Sequence, residues 1–515
     1  MDVLLTLVPI MAVLFFLIWL KWSADLSGLI GWVLAVGVGY VFFHTSLQVG
    51  LTASLAGIIA SFPVSLMVAT SIFQITFLES TGALKRIVAF VKTIAKDDHC
   101  VQIMIINMGV GTLLVSVGAT PVSILPPIMV ALGYSTFVAV ALPALGFDSL
   151  CTYALLGAPL VVFSDMTGTS LTDSALVFSQ FMPFISTMIG FGMLYIVGGW
   201  AKIREGWIPC LLAGLSMGLT AMLVAHGGKG IVLTGVMGGA ATILVMLIYL
   251  KLSGKSIIDR AVTVPNPDQA SSMSLLTALG PWIILIVCCL VINFYTPLYN
   301  YLAKTLAMPL YIIPGAKPIM TRMLWNAYTW VIISTILAIP FIKPSSSQWR
   351  DIFSKWFSRA PRPTFSAAIF FAIAYVMMYS GFTPDPGQWK LANPDFNMIS
   401  ILATSSAGFF KGLYPIAAAY LGLLGGFVSG SEASTIALFT KYNMLTSKLL
   451  NLNPLVVTAG TAIAGGLASV ISPAKLQNAA ACIDAMGIES QVIKTTAIIA
   501  IIFTAAAAIL TFIWA

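Results

Sequence analysis

Two acids in this chain stand inside apolar runs, where an ionised side chain is costly and usually functional: Asp148 in LGFDSLCTYALLG and Glu432 in VSGSEASTIALF. A carboxyl group held there can take up a proton on one side of a membrane and release it on the other. It can equally offer oxygen ligands to a sodium ion, or be merely solvated if a loop is close. Glu432 sits within a break in its apolar run, and Asp148 lies nearer a helix end. Lys475, just after Ser472-Pro473, either presents a cation to an anionic solute or reaches the interface along its own aliphatic stem. Asp165, Glu79 and Asp484 read as interfacial.

The same stretches carry breaks. Gly118-Ala119-Thr120-Pro121 interrupts one apolar run and Ser429-Gly430-Ser431-Glu432 another, with Ser434 and Thr435 following. Lipid satisfies no N–H or C=O group, so non-helical backbone at membrane depth must be buried in protein or line a cavity. Glycine allows the turn, and proline suits the first residue of a restarted helix, where its missing N–H would be unpaired anyway. Pro121 and Pro473 fit that use. A helix restarting in the bilayer aims free N–H groups and its positive dipole end into the cavity, a seat for an anion. Around such a seat, Gly118, Thr120, Ser123, Ser429, Gly430, Ser431, Ser434, Thr435, Ser472 and Lys475 form the candidate shell of a small carboxylate, with Glu432 and Asp148 as candidate coupling groups. The plainer alternative for any one of the small residues is close helix packing.

These residues need a membrane to be embedded in, and the composition supplies one. Of 515 residues 59% are hydrophobic and 8% charged, with a mean hydropathy of +1.00, where a soluble protein carries about 25% charged residues. Val3–Leu20, Ile231–Leu250 and Ala497–Trp514 each suit a hydrocarbon core about 30 Å thick. The expected fold is an all-α polytopic membrane protein of about 12–15 segments, some of them re-entrant or discontinuous. The first run lacks a basic leader and a cleavage site and is read as a retained span. Six scattered cysteines, without C-x-x-C pairs, read as free thiols.

The net charge of +8 is no nucleic-acid signal, because the cations collect in short connections. Lys343, Arg350, Lys355, Arg359 and Arg362 share one connection, Lys251, Lys255 and Arg260 another, and Lys202 and Arg204 a third. These lie two spans apart, on one side, which the positive-inside bias makes cytoplasmic.

Three landmarks recur in order. FLESTG (77–82) is answered by MMYSGF (377–382), SVGATPVSILPPI (116–128) by VSGSEASTIALF (428–439), and LLGAPLVV (155–162) by SVISPAKL (469–476). Two such repeats, often inverted, commonly meet at a transporter's binding site near the midplane. The chain therefore divides into N-terminal helices (1–54), a first repeat (55–200), linking helices with basic loops (201–364) and a second repeat (365–515).

An enzyme would need a convergent catalytic set, yet His44, His99 and His226 are scattered, and neither H-E-x-x-H nor an ATP-binding G-x-x-x-x-G-K-[ST] loop is present. No cofactor or metal motif is evident. Gly227-Gly228-Lys229-Gly230 reads as a turn between spans. A channel can also be lined by broken helices, but paired repeats favour a carrier of a small anion.

AIAYVMMYSGF (372–382), GGFVSGSEASTIALF (425–439) and ISPAKLQNAAACIDAMGIES (471–490) together resemble the L-lactate permease family, and 64–165 does so more weakly. The resemblance implies secondary transport of a 2-hydroxymonocarboxylate, L-lactate with D-lactate or glycolate as variants, by proton symport across a prokaryotic inner membrane. It also implies two repeats with re-entrant hairpins and, as in related carriers, a homodimer. The alternative is another organic anion, a dicarboxylate or sulfonate, with sodium coupling. Two departures stand out. Val115-Ser116-Val117-Gly118-Ala119-Thr120-Pro121 replaces a Glu-Gly-Ala-Ala-Gly-Phe-Gly type of run, and Asp148 stands where an uncharged polar residue is more usual.

Overall fold

The computed structural model describes residues 2–515 except Lys21, Lys92, Lys96, 259–272, Pro386 and Ala392. Arg260, counted above among the cations, lies outside the described residues. The chain is an all-α polytopic membrane protein whose described strands form two short hairpins, Pro309–Leu310 with Ile319–Met320 and Phe382–Thr383 with Lys390–Leu391. Among the described residues nine helices are long and apolar enough to cross a membrane, or up to eleven if each of two bent pairs is one span. Four shorter apolar helices accompany them. Helices dominate because only they satisfy every backbone group within their own segment. Large apolar side chains such as Leu223, Phe341 and Ile513 are exposed around the outside, as a lipid-facing surface requires. All six cysteines are free.

Periodicity is a weak guide here, and the structure divides two runs that read as single spans. Leu55–Leu78 is split at Ser61 into Leu47–Ala60 and Phe62–Ser80, where Pro63 opens the second helix. Phe137–Leu156 is broken between Thr136–Gly146 and Cys151–Thr167, which bend by 68°. The basic connection 343–362 is largely a helix, Ser346–Arg359, opened by a reciprocal Ser345–Gln348 capping box. It lies along Phe62–Ser80, with Trp356 donating to the Ala69 carbonyl at 2.9 Å. Lys355 and Arg359 pair with Glu79 at 3.2 and 2.7 Å.

Four segments position the candidate residues. His99–Ser116 runs inward, breaks, and returns as Pro121–Ala131. Its exit lies beside its start, where Tyr134 donates to Gln102 at 3.4 Å and its ring meets His99 edge-on at 6.0 Å. A broken crossing, 136–167, follows. In the C-terminal part Tyr414–Ser429 breaks and returns as Glu432–Leu449, with Tyr414 donating to Asn443 at 2.7 Å near the open end. A second broken crossing, 454–481, follows, built from Pro454–Leu467, Ala468–Ile471 and Pro473–Ala481. The first turnaround opens on the face where Asp98 pairs with Lys255 at 2.7 Å. The open end of the second, at Lys448, shares the wall of one cavity with Thr167, the last residue of the first broken crossing.

The second turnaround is sealed to its broken crossing by glycines. A Cβ on Gly426 would run into the Gly465 carbonyl, and one on Gly422 into that of Thr461. Backbone meeting backbone cannot yield as a flexible side chain can. Gly426→Ala is therefore expected to cost about 3 kcal/mol, the upper part of the range for overpacking. It should lower the thermal unfolding midpoint in detergent and the yield of monodisperse protein. An unchanged midpoint would disprove the tight contact.

Candidate functional site

Each break has a local cause. At the second tip Gly430 takes a left-handed conformation, φ +63°, and ends its helix; Ser431 then caps the next, accepting from the Ser434 N–H at 3.4 Å. At the first tip Gly118 is left-handed, φ +89°, and Thr120 precedes Pro121 without a side-chain cap. Ser472 likewise precedes Pro473 uncapped and buried. The first broken crossing is unwound furthest. After Gly146 come a turn, a 3-10 turn at Cys151–Tyr153, and left-handed Leu155, Leu156 and Gly157 at φ 54°, 52° and 75°. Such φ values are uncommon for leucine and hold the chain off a helical path.

That unwound stretch carries Asp148, which is 4% exposed and whose carboxylate oxygens have no hydrogen-bond partner among the described residues, with Ser469 close by. Thr152 reaches across to the second turnaround and donates to Glu432 Oε1 at 2.6 Å. Glu432 is 3% exposed, and its Oε2 has no hydrogen-bond partner among the described residues, with the Cys151 thiol close by. This oxygen lies over Gly466, where a Cβ would come within 2.8 Å of it. From the second broken crossing, Lys475 donates to Ser469 at 2.5 Å and places its ammonium 3.4 Å from the centre of the Phe147 ring. Asp148, Glu432 and Lys475 lie within electrostatic range of one another. Gly430 approaches Ser472 so closely that a Cβ would stand 2.9 Å from its hydroxyl.

The other candidates are distributed differently. Gly118 faces Phe62–Ser80, where a Cβ would meet that of Ser71 at 2.6 Å. Ser123 accepts from Asn478 at 2.8 Å, joining the returning arm of the first turnaround to the second broken crossing. Ser429 and Thr435 donate to the carbonyls of Gly425 and Ser431 at 2.8 and 3.0 Å, and the Thr435 methyl fills space beside Gly425 and Gly465. Ser434 is buried one turn from the tip, and Thr120 is half-buried. Asp165 pairs with Arg322 at 3.0 Å.

Four contributors were not among the sequence candidates: Phe147, Thr152, Ser469 and Asn478. Thr152 lies four residues after Asp148 and Ser469 three before Ser472, so widening each break by one turn would have found both. Nothing in the sequence marks the ring of Phe147 as the surface on which Lys475 rests. The assembled group offers two carboxyl groups, an ammonium, hydroxyls and two helix starts, at Glu432 and Pro473. That set can hold a small carboxylate against a cation while a neighbouring carboxyl gains or loses a proton.

Comparison with known proteins supplies a family. One described as L-lactate permease matches residues 2–515. An L-lactate permease of Streptococcus iniae is 24% identical over 459 residues, 88% of this chain and 92% of that protein. Glycolate permease GlcA of Escherichia coli (strain K12) is 23% identical over 557 residues, 100% of this chain and 96% of that one. An L-lactate permease of the same strain is 21% identical, with 98% and 94% covered.

Proposed function

The chain belongs to the L-lactate permease family, and from that membership we propose that it is a secondary carrier of a 2-hydroxymonocarboxylate, L-lactate or glycolate, driven by proton symport. It is a multi-pass cell-membrane protein of a permease family. The observation that carries the finer reading is the Thr152–Glu432 contact at 2.6 Å. It joins the unwound first crossing to the tip of the second turnaround, beside the cation of Lys475. In this reading the two units form an inverted pair, their turnarounds opening on opposite faces as in two-repeat carriers. The carboxylate lies against Lys475 and the helix starts at Glu432 and Pro473. Glu432 and Asp148 carry the coupled proton, and Ser472 and Ser431 complete the polar shell. Alternating access follows if the two turnarounds and broken crossings move together against Phe62–Ser80 and Pro361–Met378.

The test is uptake of labelled L-lactate into proteoliposomes under an imposed pH gradient, then under a sodium gradient. An inward proton gradient is expected to drive accumulation that unlabelled lactate or glycolate chases out, and preloading should accelerate uptake, as only a carrier allows. Accumulation under sodium alone would overturn the proton coupling. Absence of lactate and glycolate movement under either gradient would overturn the substrate assignment.

A further inference from the structure

On the face away from Lys255 the molecule opens into a cavity of about 340 Å³, and Asp148, Glu432 and Lys475 are not in its walls. Thr167 lines it from the end of the first broken crossing, Asn397 and Ser400 from the start of Met398–Phe410, and Lys441 and Lys448 from Glu432–Leu449. Met378, Phe382, Leu391 and Leu445 make much of the remaining wall apolar. Lys441 and Lys448 are seven residues apart, two helical turns, and so project from one side of their helix. Lys317 adds a third ammonium, against Gly168 and within range of Lys441.

These cations lack an obvious structural use. Among the described residues none of the three takes part in an ion pair. Nearby Asp165 and Asp385 are already paired, with Arg322 and Lys390, at 3.0 and 3.2 Å. Asp395, two residues before Asn397, takes part in no ion pair among the described residues, so the lysines outnumber it at this mouth. Lys448 is in the last turn of its helix and complements the dipole there, but Lys441 lies well before that end. The positive-inside bias gives no reason for lysines on the face away from Lys255. Asn397 and Ser400, by contrast, bond to each other and to backbone.

We propose that this cavity is a capture site for small carboxylate anions, which concentrates them before they reach the buried site. The proposal rests on the carrier reading above for the identity of the anion. A cleft with one sign of charge and low-dielectric walls focuses the field and raises the local concentration of the opposite ion. Its volume is at the lower end of ligand pockets, about 300–1,000 Å³, as suits a solute the size of lactate. The two helices that meet near Thr152 and Glu432 also form its walls. Lys441 is about 13 Å along the helix from Glu432 at 1.5 Å per residue, so capture and binding sites sit on one continuous pair of elements.

Charge-selective thiol labelling tests the field without relying on transport. Met444→Cys places a thiol in the cavity wall between the two lysines; its labelling is counted against the same protein with Met444 intact, to subtract native thiols. An anionic methanethiosulfonate reagent is expected to react faster than a cationic one. Adding Lys441→Gln and Lys448→Gln should lower that rate ratio about tenfold at low ionic strength. In about 1 M salt, where the Debye length is about 3 Å, the difference should vanish. Millimolar lactate should slow labelling only while the lysines are present. In proteoliposomes the double lysine variant without the new thiol should raise KM for uptake and leave the maximal exchange rate unchanged. A labelling ratio indifferent to the lysines would overturn the proposal, as would labelling that lactate does not slow. Loss of lactate transport by the wild-type protein instead overturns the carrier reading, so the two fail separately.

Discussion

Glu432→Gln is expected to abolish pH-driven accumulation of lactate while leaving lactate–lactate exchange in place. For one proton per monocarboxylate, each unit of pH gradient supports about tenfold accumulation, equivalent to about 1.4 kcal/mol. The variant should bring that ratio to about one. The argument is geometric. Glutamine has the shape of glutamate and keeps an oxygen where Thr152 donates at 2.6 Å, so the link between the two units survives. It cannot exchange a proton through the position of Oε2, the buried oxygen above Gly466 that has no hydrogen-bond partner among the described residues. Exchange needs the site to cross loaded with substrate, but no net proton movement. Net uptake needs the coupling group to return in its other protonation state. Wild-type accumulation under a pH gradient in Glu432→Gln would end the proton role of this residue and direct attention to Asp148, whose two oxygens are also buried and, among the described residues, without a hydrogen-bond partner. Loss of exchange together with accumulation would assign Glu432 to substrate binding instead.

The residues that turned out to meet were legible for energetic reasons. Glu432, Asp148 and Lys475 were visible because an ion in an apolar run is expensive, and the tips because a glycine shortly before a proline, or between serines, interrupts an apolar run. Contacts between segments far apart in sequence were not legible. That Gly118 faces Ser71, while Gly430 faces Ser472, depends on packing between helices whose faces are all apolar, so no periodic signal distinguishes inside from lipid. For the same reason the split at Ser61 was hidden: both halves read as hydrophobic, and only Pro63 marked the restart. Ser346–Arg359 could have been found. Trp349, Phe353 and Trp356 repeat at helical spacing among its cations, a pattern that grouping the residues simply as a basic connection obscured.

Lys475→Met is expected to weaken lactate binding about 30-fold to several thousand-fold, the equivalent of the 2–5 kcal/mol lost when one partner of a buried charge pair is truncated. Two roles compete for this lysine. It can be a structural cation, since it donates to Ser469 and lies over the Phe147 ring 3.4 Å from its centre. It can also be the positive charge that a carboxylate substrate engages, in a place where few neutral groups would compensate. Methionine matches the aliphatic stem and packs well against an aromatic ring, so it removes the charge with little loss of shape. If the lysine serves the substrate, the variant keeps the wild-type unfolding midpoint in detergent but loses the rise that lactate produces, because ligand stabilisation follows RT ln(1 + [L]/Kd). Exchange then shows a raised KM. Lys475→Arg, which keeps the charge but not the compact ammonium geometry, should recover part of the affinity. If the lysine is only structural, Lys475→Met lowers the midpoint without lactate, and lactate still raises it. Affinity within about threefold of wild type, some 0.6 kcal/mol, would remove Lys475 from the binding site and leave the helix starts at Glu432 and Pro473 to hold the anion.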